Sequence, residues 1–515
     1  MASDPIASKS FDEVTEGADN DSTRIQAFCQ DRRNVSDRTW KAKFLSDHFE
    51  GPQPDKILVR LLEDPSYEDP RNNLTVWARP DPAVTALAAY CQAQLQGLGL
   101  DIWLTPQHGL HMTVLVVAEL SLVLIPVITS YGQVDTATHL VMACESEAIV
   151  ARGPFSEGKW ALEPVKLREL HQDEVLVQMV ASGICHTDLH CGDTSADAGV
   201  PGVYYPRVLG HEGSGYVVRT GSAVKSVQAG DPVLLSFAYC GECYVCTSGP
   251  PSHCIKFFDI NFMGEPVFEG GIGGRFFGQS SLARHSVVSD KCVVNVAGRG
   301  LSKDDLKLLA PLGCGLQTGS GTVINVARAG PKDCVTIAGM GGVGLAAIIA
   351  AKNKGCKAII GLDRVDSRLV LAKSLGATHV INTTNLEMKD IVEKIKEASE
   401  GLGSTISIDT TAFPPLVSAQ VDATRYMGKI IQVGTGMPNA NLALHMQSFM
   451  VSGKQYFGAV QGHAKTSEYI PEMIKWWRDG KFPIEKLVTF FEHENYAQAL
   501  EAMGRGEAIK PVIVW

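Results

Sequence analysis

The stretch CVTIAGMGGVGLAAIIAAKNKG, residues 334–355, constrains this chain most. A short apolar run, a glycine turn (Gly339, Gly341, Gly342, Gly344) and an apolar run of helical length predict strand, tight turn and helix. The alternation continues through AIIGLDR, RLVLAKSLGA, HVINTT, MKDIVEKIKEASEG, STISIDTT, KIIQVGT and KQYFGAV. Strands alternating with helices predict a parallel, doubly wound sheet, so this part of the chain reads as an α/β domain. Its turn satisfies G-x-G-x-x-G, and Asp363 ends the next strand, nineteen residues after Gly344. Glycines permit close backbone approach, a helix N-terminus holds a pyrophosphate, and the acid accepts hydrogen bonds from an adenosine ribose. A dinucleotide is therefore expected over Gly339, Gly341, Gly342, Val343 and Gly344. Asp363 repels a 2′-phosphate and favours NAD over NADP; Arg364 beside it works in the opposite direction.

Upstream the text changes character. From AIVARGPFSEGKWALEPVKL to Val294, strand-like alternation with glycine punctuation predicts a partly open β-rich domain. After Gly458, one amphipathic helix (IPEMIKWWRDG) and a terminal strand are expected to rejoin it. The chain of 515 residues, too long for one core, thus divides into an extra α+β segment at 1–141, a β-rich catalytic domain at 142–316 and 456–515, and a dinucleotide-binding domain at 317–455. A net charge of −10 argues against a nucleic-acid partner. The N-terminus, MASDPIASKSFDEVTEGADNDS, has neither the basic nor the apolar region of a signal peptide. A cytoplasmic address follows, in which thirteen cysteines serve as free thiols and ligands rather than disulfides. Met112 to Thr129 is long enough to span a bilayer. Glu119, Pro126 and the β-branched residues favour two buried strands instead, so no membrane partner is expected.

Cys240, Cys243, Cys246 and Cys254 follow C-x2-C-x2-C-x7-C within fifteen residues rich in Gly, Pro and Ser. Short gaps let successive thiolates converge on one tetrahedral ion, and the long gap lets the chain return with a fourth. This predicts a closed structural zinc site, which does no chemistry. Three other residues suit an open zinc site: Cys185 in GICHTD, His211 in LGHEGSG and Cys314 in PLGCGLQTG. Spacing alone does not separate them from buried cysteines acting as small hydrophobes and a satisfied core histidine.

From Met142 to Trp515 the chain resembles the zinc-dependent, medium-chain alcohol dehydrogenases: CHTD, GHEGSG, the four-cysteine lobe, PLGCGLQTG and GMGGVG occur in that family's order. The resemblance implies a GroES-like catalytic domain and two zinc ions per chain. It makes Cys185, His211 and Cys314 the catalytic zinc ligands, with Glu212 behind the metal and Asp188 accepting from His211. Thr187 would take the alcohol's proton and His190 pass it to solvent. His186 would meet the cofactor pyrophosphate, Thr318 the back of the nicotinamide, and Arg368 the adenosine ribose. A homodimer or homotetramer is implied as well. The expected reaction is hydride transfer between NAD and a primary alcohol/aldehyde pair. Pro251 to Cys254 and Asn261 to Gly264 resemble the aryl- and benzyl-alcohol branch, so the alcohol is expected to be aromatic. The alternative is a broader primary-alcohol dehydrogenase or aldehyde reductase of a secondary-metabolite pathway.

Residues from about Gln26 to Leu115 resemble the first half of a two-histidine phosphoesterase, with His111-Met112-Thr113 as its H-x-T element. No second H-x-T follows to supply the partner acid or base, so a degenerate or truncated domain is expected rather than an active phosphoesterase. Met142 opens what resembles a complete dehydrogenase N-terminus, so the first 141 residues also read as a fused neighbouring frame.

Overall fold

A computed structural model of the chain describes residues 75–78, 110–113, 145–198, 200, 202–263, 266–436 and 440–515. The chain forms two units, Met1–Thr136 and Ala137–Trp515. In the first, Thr75–Ala78 pairs antiparallel with Leu110–Thr113, placing Trp77 opposite His111. Of Met112 to Thr129, where two buried strands are expected, the part after Thr113 lies outside the described residues. Among the described residues no helix is long and apolar enough to cross a membrane.

Six parallel strands form the expected doubly wound sheet. In spatial order they are His379–Asn382, Ala358–Asp363, Cys334–Ala338, Ser404–Asp409, Thr424–Gln432 and Gln455–Gly458. Chain order is thus 3-2-1-4-5-6, and the order reverses beside the first strand, where such sheets open a crevice for ligands. Every residue of Cys334–Ala338 and of Ser404–Asp409 is buried, as expected of strands covered on both faces. The helix Gly342–Asn353 follows the glycine turn and buries Leu345 to Ala351 without a break, which explains its apolar text. Two glycines are sterically required here. Gly339 adopts φ 89°, and a Cβ on it would lie 2.4 Å from Thr410 Oγ1. A Cβ on Gly344 would lie 1.8 Å from the Gly339 carbonyl oxygen, so only glycine lets the helix start this close to the strand.

The β-rich part holds two sheets. The larger is centred on Glu174–Gly183, which pairs antiparallel with Gly213–Thr220, His285–Ser289 and the terminal strand Lys510–Val514. The smaller runs Trp160–Lys166, Glu145–Ala151, Arg207–Val208, Ile272–Gly273, Pro266–Phe268. The helix expected from IPEMIKWWRDG spans Thr466–Arg478 and buries Tyr469, Ile470, Met473 and Ile474 along one stripe. Gln455–Gly458, which straddles the boundary expected at 456, pairs with the parallel sheet as its edge strand.

Gly344→Ala is expected to destabilise the protein by about 1–3 kcal/mol through overpacking at the strand–helix junction. A lowered thermal midpoint with unchanged secondary structure in circular dichroism checks this; an unchanged midpoint contradicts it.

Candidate active site

Strand register builds the central cluster. Ser182 pairs with Gly213, so the chain leaving one strand at Cys185 lies beside the chain entering the next at His211 and Glu212. Val512 pairs with Gly183, and the same antiparallel register puts Lys510 across from Cys185. Cys314 arrives from a third direction, at the N-terminus of the helix Gly315–Gly321. One ligand atom from each of Cys185, His211, Glu212 and Cys314 lies within 4.8 Å of the others. A Cβ on Gly183 would sit 2.2 Å from Glu212 Oε2, so a bare backbone there makes room for the carboxylate.

Hydrogen bonds fix each donor. Asp188, fully buried on the short helix His186–Gly192, accepts from the Cys185 N–H at 2.8 Å and the Gly210 N–H at 2.9 Å. Its Oδ1 lies 3.0 Å from His211 Nδ1, which leaves Nε2 facing the thiols. That Nε2 is buried and has no hydrogen-bond partner, as is Glu212 Oε2. Glu212 Oε1 accepts from Lys510 Nζ at 2.8 Å and from the Gly315 N–H at 3.1 Å. Two thiols and an orphaned imidazole nitrogen, all held from outside, fit a zinc ion with a fourth position left for water or substrate. The electrostatics agree. A hydrogen bond from Cys314 holds the Cys185 thiol well below its ordinary range against burial, and Lys510 and His211 add to this. The same bond, with burial, pushes the Cys314 thiol well up. Burial opposes the charged form of His211, but Asp188 and the Cys185 thiolate outweigh it and push the imidazole up to about 10. Burial raises the Glu212 carboxyl, with Lys510 pulling the other way.

Thr187 Oγ1 lies 3.8 Å from Cys185 Sγ, and His190 is half-buried one turn further along the same helix. His186 is exposed at its start; packing, Lys510 and Arg368 pull its imidazole down against the Cys185 thiolate. Arg368 carries a buried Nε without a partner. Thr318 Oγ1 donates to the Cys314 carbonyl at 2.8 Å. Asp363 is already engaged: its carboxylate accepts from the Met340, Arg364 and Val365 N–H groups at 2.6, 2.7 and 2.9 Å. With about four lone-pair sites on a carboxylate, room for a ribose hydroxyl remains.

The four lobe cysteines also converge, with one sulfur from each within 4.8 Å of the others. Cys240 Sγ and Cys246 Sγ lie 3.8 Å apart, and the Cys243 and Cys240 N–H groups donate to Cys240 and Cys254 sulfurs. Hydrogen bonds from the Ile255 and Cys246 backbone pull the Cys243 thiol down to about 6. All four are free thiols, as a closed four-thiolate site requires.

Sequence reasoning missed Lys510 and the aromatic wall of the site. Lys510 is 4% exposed in the strand KPVIV, whose other residues are nearly all apolar. A lone lysine in such a strand was the available signal, since buried lysines are almost always paired. Around His211, Phe277 stacks at 4.6 Å between ring centroids, and Phe276 and Phe237 approach edge-on at 5.5 and 5.8 Å.

With this geometry in view, comparison with known proteins is direct. The alcohol dehydrogenase GroES-like domain matches residues 171–298, and the zinc-binding dehydrogenase domain matches residues 342–478. The geraniol dehydrogenase of Castellaniella defragrans is 38% identical over 369 residues, 70% of this chain and 95% of its own. The crystal structure of benzyl alcohol dehydrogenase from Acinetobacter calcoaceticus is 38% identical with a TM-score of 0.66, covering 72% of this chain and 99% of that one. A zinc-binding alcohol dehydrogenase protein from Burkholderia ambifaria matches at 34% identity and the same TM-score, over 72% and 98%. The chain belongs to the zinc-dependent, medium-chain alcohol dehydrogenase family. It is an oxidoreductase, a zinc-dependent alcohol dehydrogenase.

Metal ligands must be deprotonated, and in the metal-free protein the His211 imidazole is pushed up to about 10 and the Cys314 thiol is pushed up, whereas the Cys185 thiol is held down. Loading this site at pH 8 is therefore expected to release protons. Calorimetry in buffers of different ionisation enthalpy reads the number; zero release contradicts the assignment.

Proposed function

We propose that the protein oxidises primary alcohols to aldehydes, and runs the reverse, using NAD and a catalytic zinc held by Cys185, His211 and Cys314. The observation that carries this reading is the convergence of two thiols with the orphaned Nε2 of His211 in one buried cluster, beside the Glu212 carboxylate. When bound, zinc supplies Lewis acidity to the alcohol oxygen, and the nicotinamide ring accepts the hydride. The protein's own residues do the rest. Asp188 holds His211 in the tautomer that presents Nε2, and Lys510 neutralises Glu212 behind the metal position. Thr187 Oγ1 receives the alcohol's proton and His190 carries it towards solvent. The four-thiolate lobe holds the second zinc and shapes its loop. The turn at Gly339, Gly341, Gly342, Val343 and Gly344 takes the pyrophosphate, with His186 and Arg368 as cations; Thr318 backs the nicotinamide. Asp363 selects against a 2′-phosphate. Residues 317–455 act as the cofactor domain and the flanking stretches as the catalytic domain, in a chain working in the cytoplasm. In the N-terminal segment, an unmatched H-x-T at His111 supports no phosphoesterase chemistry.

The substrate reading rests on the aromatic wall and the relatives. Phe277 meets Phe237 at 4.3 Å, Phe262 at 4.8 Å and Phe257 at 6.1 Å, forming an apolar bank from His211 towards the lobe. Geraniol and benzyl alcohol, for which two relatives are named, are both primary alcohols with an unsaturated carbon next to the carbinol. A primary alcohol with an aromatic or allylic body fits both facts. A second copy of this chain is the partner best supported. The edge strand Gln455–Gly458 exposes Tyr456 and Phe457, and Met446, Met450 and Val451 are exposed on the helix just before it. Antiparallel pairing of two such edges would satisfy the free backbone groups and cover the apolar side chains.

NAD reduction is expected to be at least several-fold more efficient with benzyl alcohol or geraniol than with ethanol, and to stop when zinc is chelated. Thr187→Val is expected to lower kcat by about 100-fold or more with zinc retained; full activity in that variant contradicts the proton path. Phe457→Asp with Tyr456→Lys is expected to halve the mass seen by light scattering, and an unchanged mass rules out this edge as the interface.

A further inference from the structure

One charged side chain in the catalytic part is buried without a counter-ion. Arg207 is 1% exposed, and among the described residues no carboxylate pairs with it. It donates to the carbonyls of Gly202 and, at 3.4 Å, Phe262, and its Nε has no partner. Two aromatic rings lie against the guanidinium instead: its carbon lies 4.3 Å from the centroid of the Tyr204 ring and 4.6 Å from that of Phe276. A planar cation packed over two rings is an arrangement that arginine favours over lysine, a point charge. The backbone is arranged for it. Arg207 pairs with Gly273, and a Cβ on that glycine would lie 2.5 Å from the Tyr204 ring, so the missing side chain makes room for the ring.

Phe276 also meets the His211 imidazole, with centroids 5.5 Å apart and planes at 75°. Phe276 sits in a strained loop: Arg275, Phe277 and Ser280 have φ of 57°, 51° and 54°, the left-handed region that side chains avoid. Such a loop persists only where its surroundings hold it. Gln279 Nε2 donates to the His211 and Ser236 carbonyls at 2.9 Å, and Ser280 Oγ to the Val208 carbonyl at 2.7 Å. Those bonds tie down one end of the loop, and the Arg207 face ties down Phe276. The Asp188 hydrogen bond fixes one atom of the imidazole and leaves its plane free to tilt; the rings fix the plane.

We propose that Arg207 is a positioning residue for the zinc ligand His211, acting through the ring of Phe276. It touches neither metal nor substrate. Its cation packs over the ring of Phe276, and that ring sets the plane in which His211 Nε2 reaches the metal. This rests on His211 as a zinc ligand, and the test separates the two ideas.

The experiment follows zinc leaving the intact holoenzyme to a chromogenic chelator, for wild type, Arg207→Met, Arg207→Lys, Phe276→Leu and Arg207→Met with Phe276→Leu. Cobalt-loaded samples give the ligand-field spectrum in parallel, and thermal midpoints report general stability. Arg207→Met is expected to speed release of the more labile zinc about tenfold, in line with other outer partners of metal ligands. Arg207→Lys should fall between it and wild type. Phe276→Leu should match Arg207→Met, and the double variant should be no faster than Phe276→Leu alone, because both act along one path. The cobalt band of the labile site should shift in each variant that speeds release. Wild-type release rates in Arg207→Met, or effects of the two substitutions that multiply, overturn the proposal while leaving the zinc site intact. A wild-type protein that releases no labile zinc overturns the zinc reading, and the proposal with it. Should Arg207→Met fail to fold, Arg207→Lys and Phe276→Leu carry the same comparison, and wild-type rates and spectra in both overturn the proposal.

Discussion

Charge confined in one buried cluster is the constraint on which the catalytic part depends. Asp188, His211, Glu212 and Lys510 are all at most 4% exposed, and two thiols share their space. Charges removed from water are costly unless partners of the opposite sign and hydrogen bonds compensate them; removing one member of such a set costs about 3–5 kcal/mol. Each group here has its answer: Asp188 faces His211, and Glu212 faces Lys510. The two atoms without an answer, His211 Nε2 and Glu212 Oε2, belong to the four side chains that meet at the proposed metal position.

That cluster is assembled by strand register. Glu174–Gly183 lies between Gly213–Thr220 and Lys510–Val514, and a shift of one residue in either pairing would turn Lys510 or Ser214 to the opposite face. The chain therefore reaches back 298 residues, from Lys510 to Glu212, to complete the site. The helix Gly315–Gly321 then links it to the glycine turn. Cys314 caps that helix, Thr318 lies on it, and a Cβ on Gly319 would sit 1.9 Å from the Val343 carbonyl oxygen. Metal position and glycine turn are thus joined by one short, close-packed element rather than by a loop.

Aromatic packing performs a second task around the same histidine. Phe237, Phe276 and Phe277 enclose the imidazole, and two of them come from a loop with three side-chain-bearing residues at positive φ. Strain of this kind collects where geometry matters to function. The same rings continue outward through Phe262 and Phe257, so one aromatic bank both packs around His211 and lines the approach proposed for an apolar alcohol.

Much of this was legible in the text of the chain. GMGGVG after an apolar strand specifies a close strand–helix junction because Gly339 and Gly344 admit no Cβ, and the run of alternating elements specifies a parallel sheet. The four-cysteine spacing is local, so its convergence was readable as well. The other half of the site was not. Cys185, His211 and Cys314 are far apart, and without the resemblance nothing in their spacing distinguishes ligands from core residues. Lys510, Arg207 and the phenylalanines of the wall carry no motif; their roles come from register and packing. Asp363 shows the same limit, because three backbone N–H groups already use most of a carboxylate that the motif assigns to a ribose. The sequence by itself determined the elements and the local four-cysteine lobe, since hydrophobic period, glycine geometry and short cysteine spacings act within a few residues. Only the tertiary structure decided which distant charges meet, because desolvation and pairing depend on neighbours in space rather than along the chain.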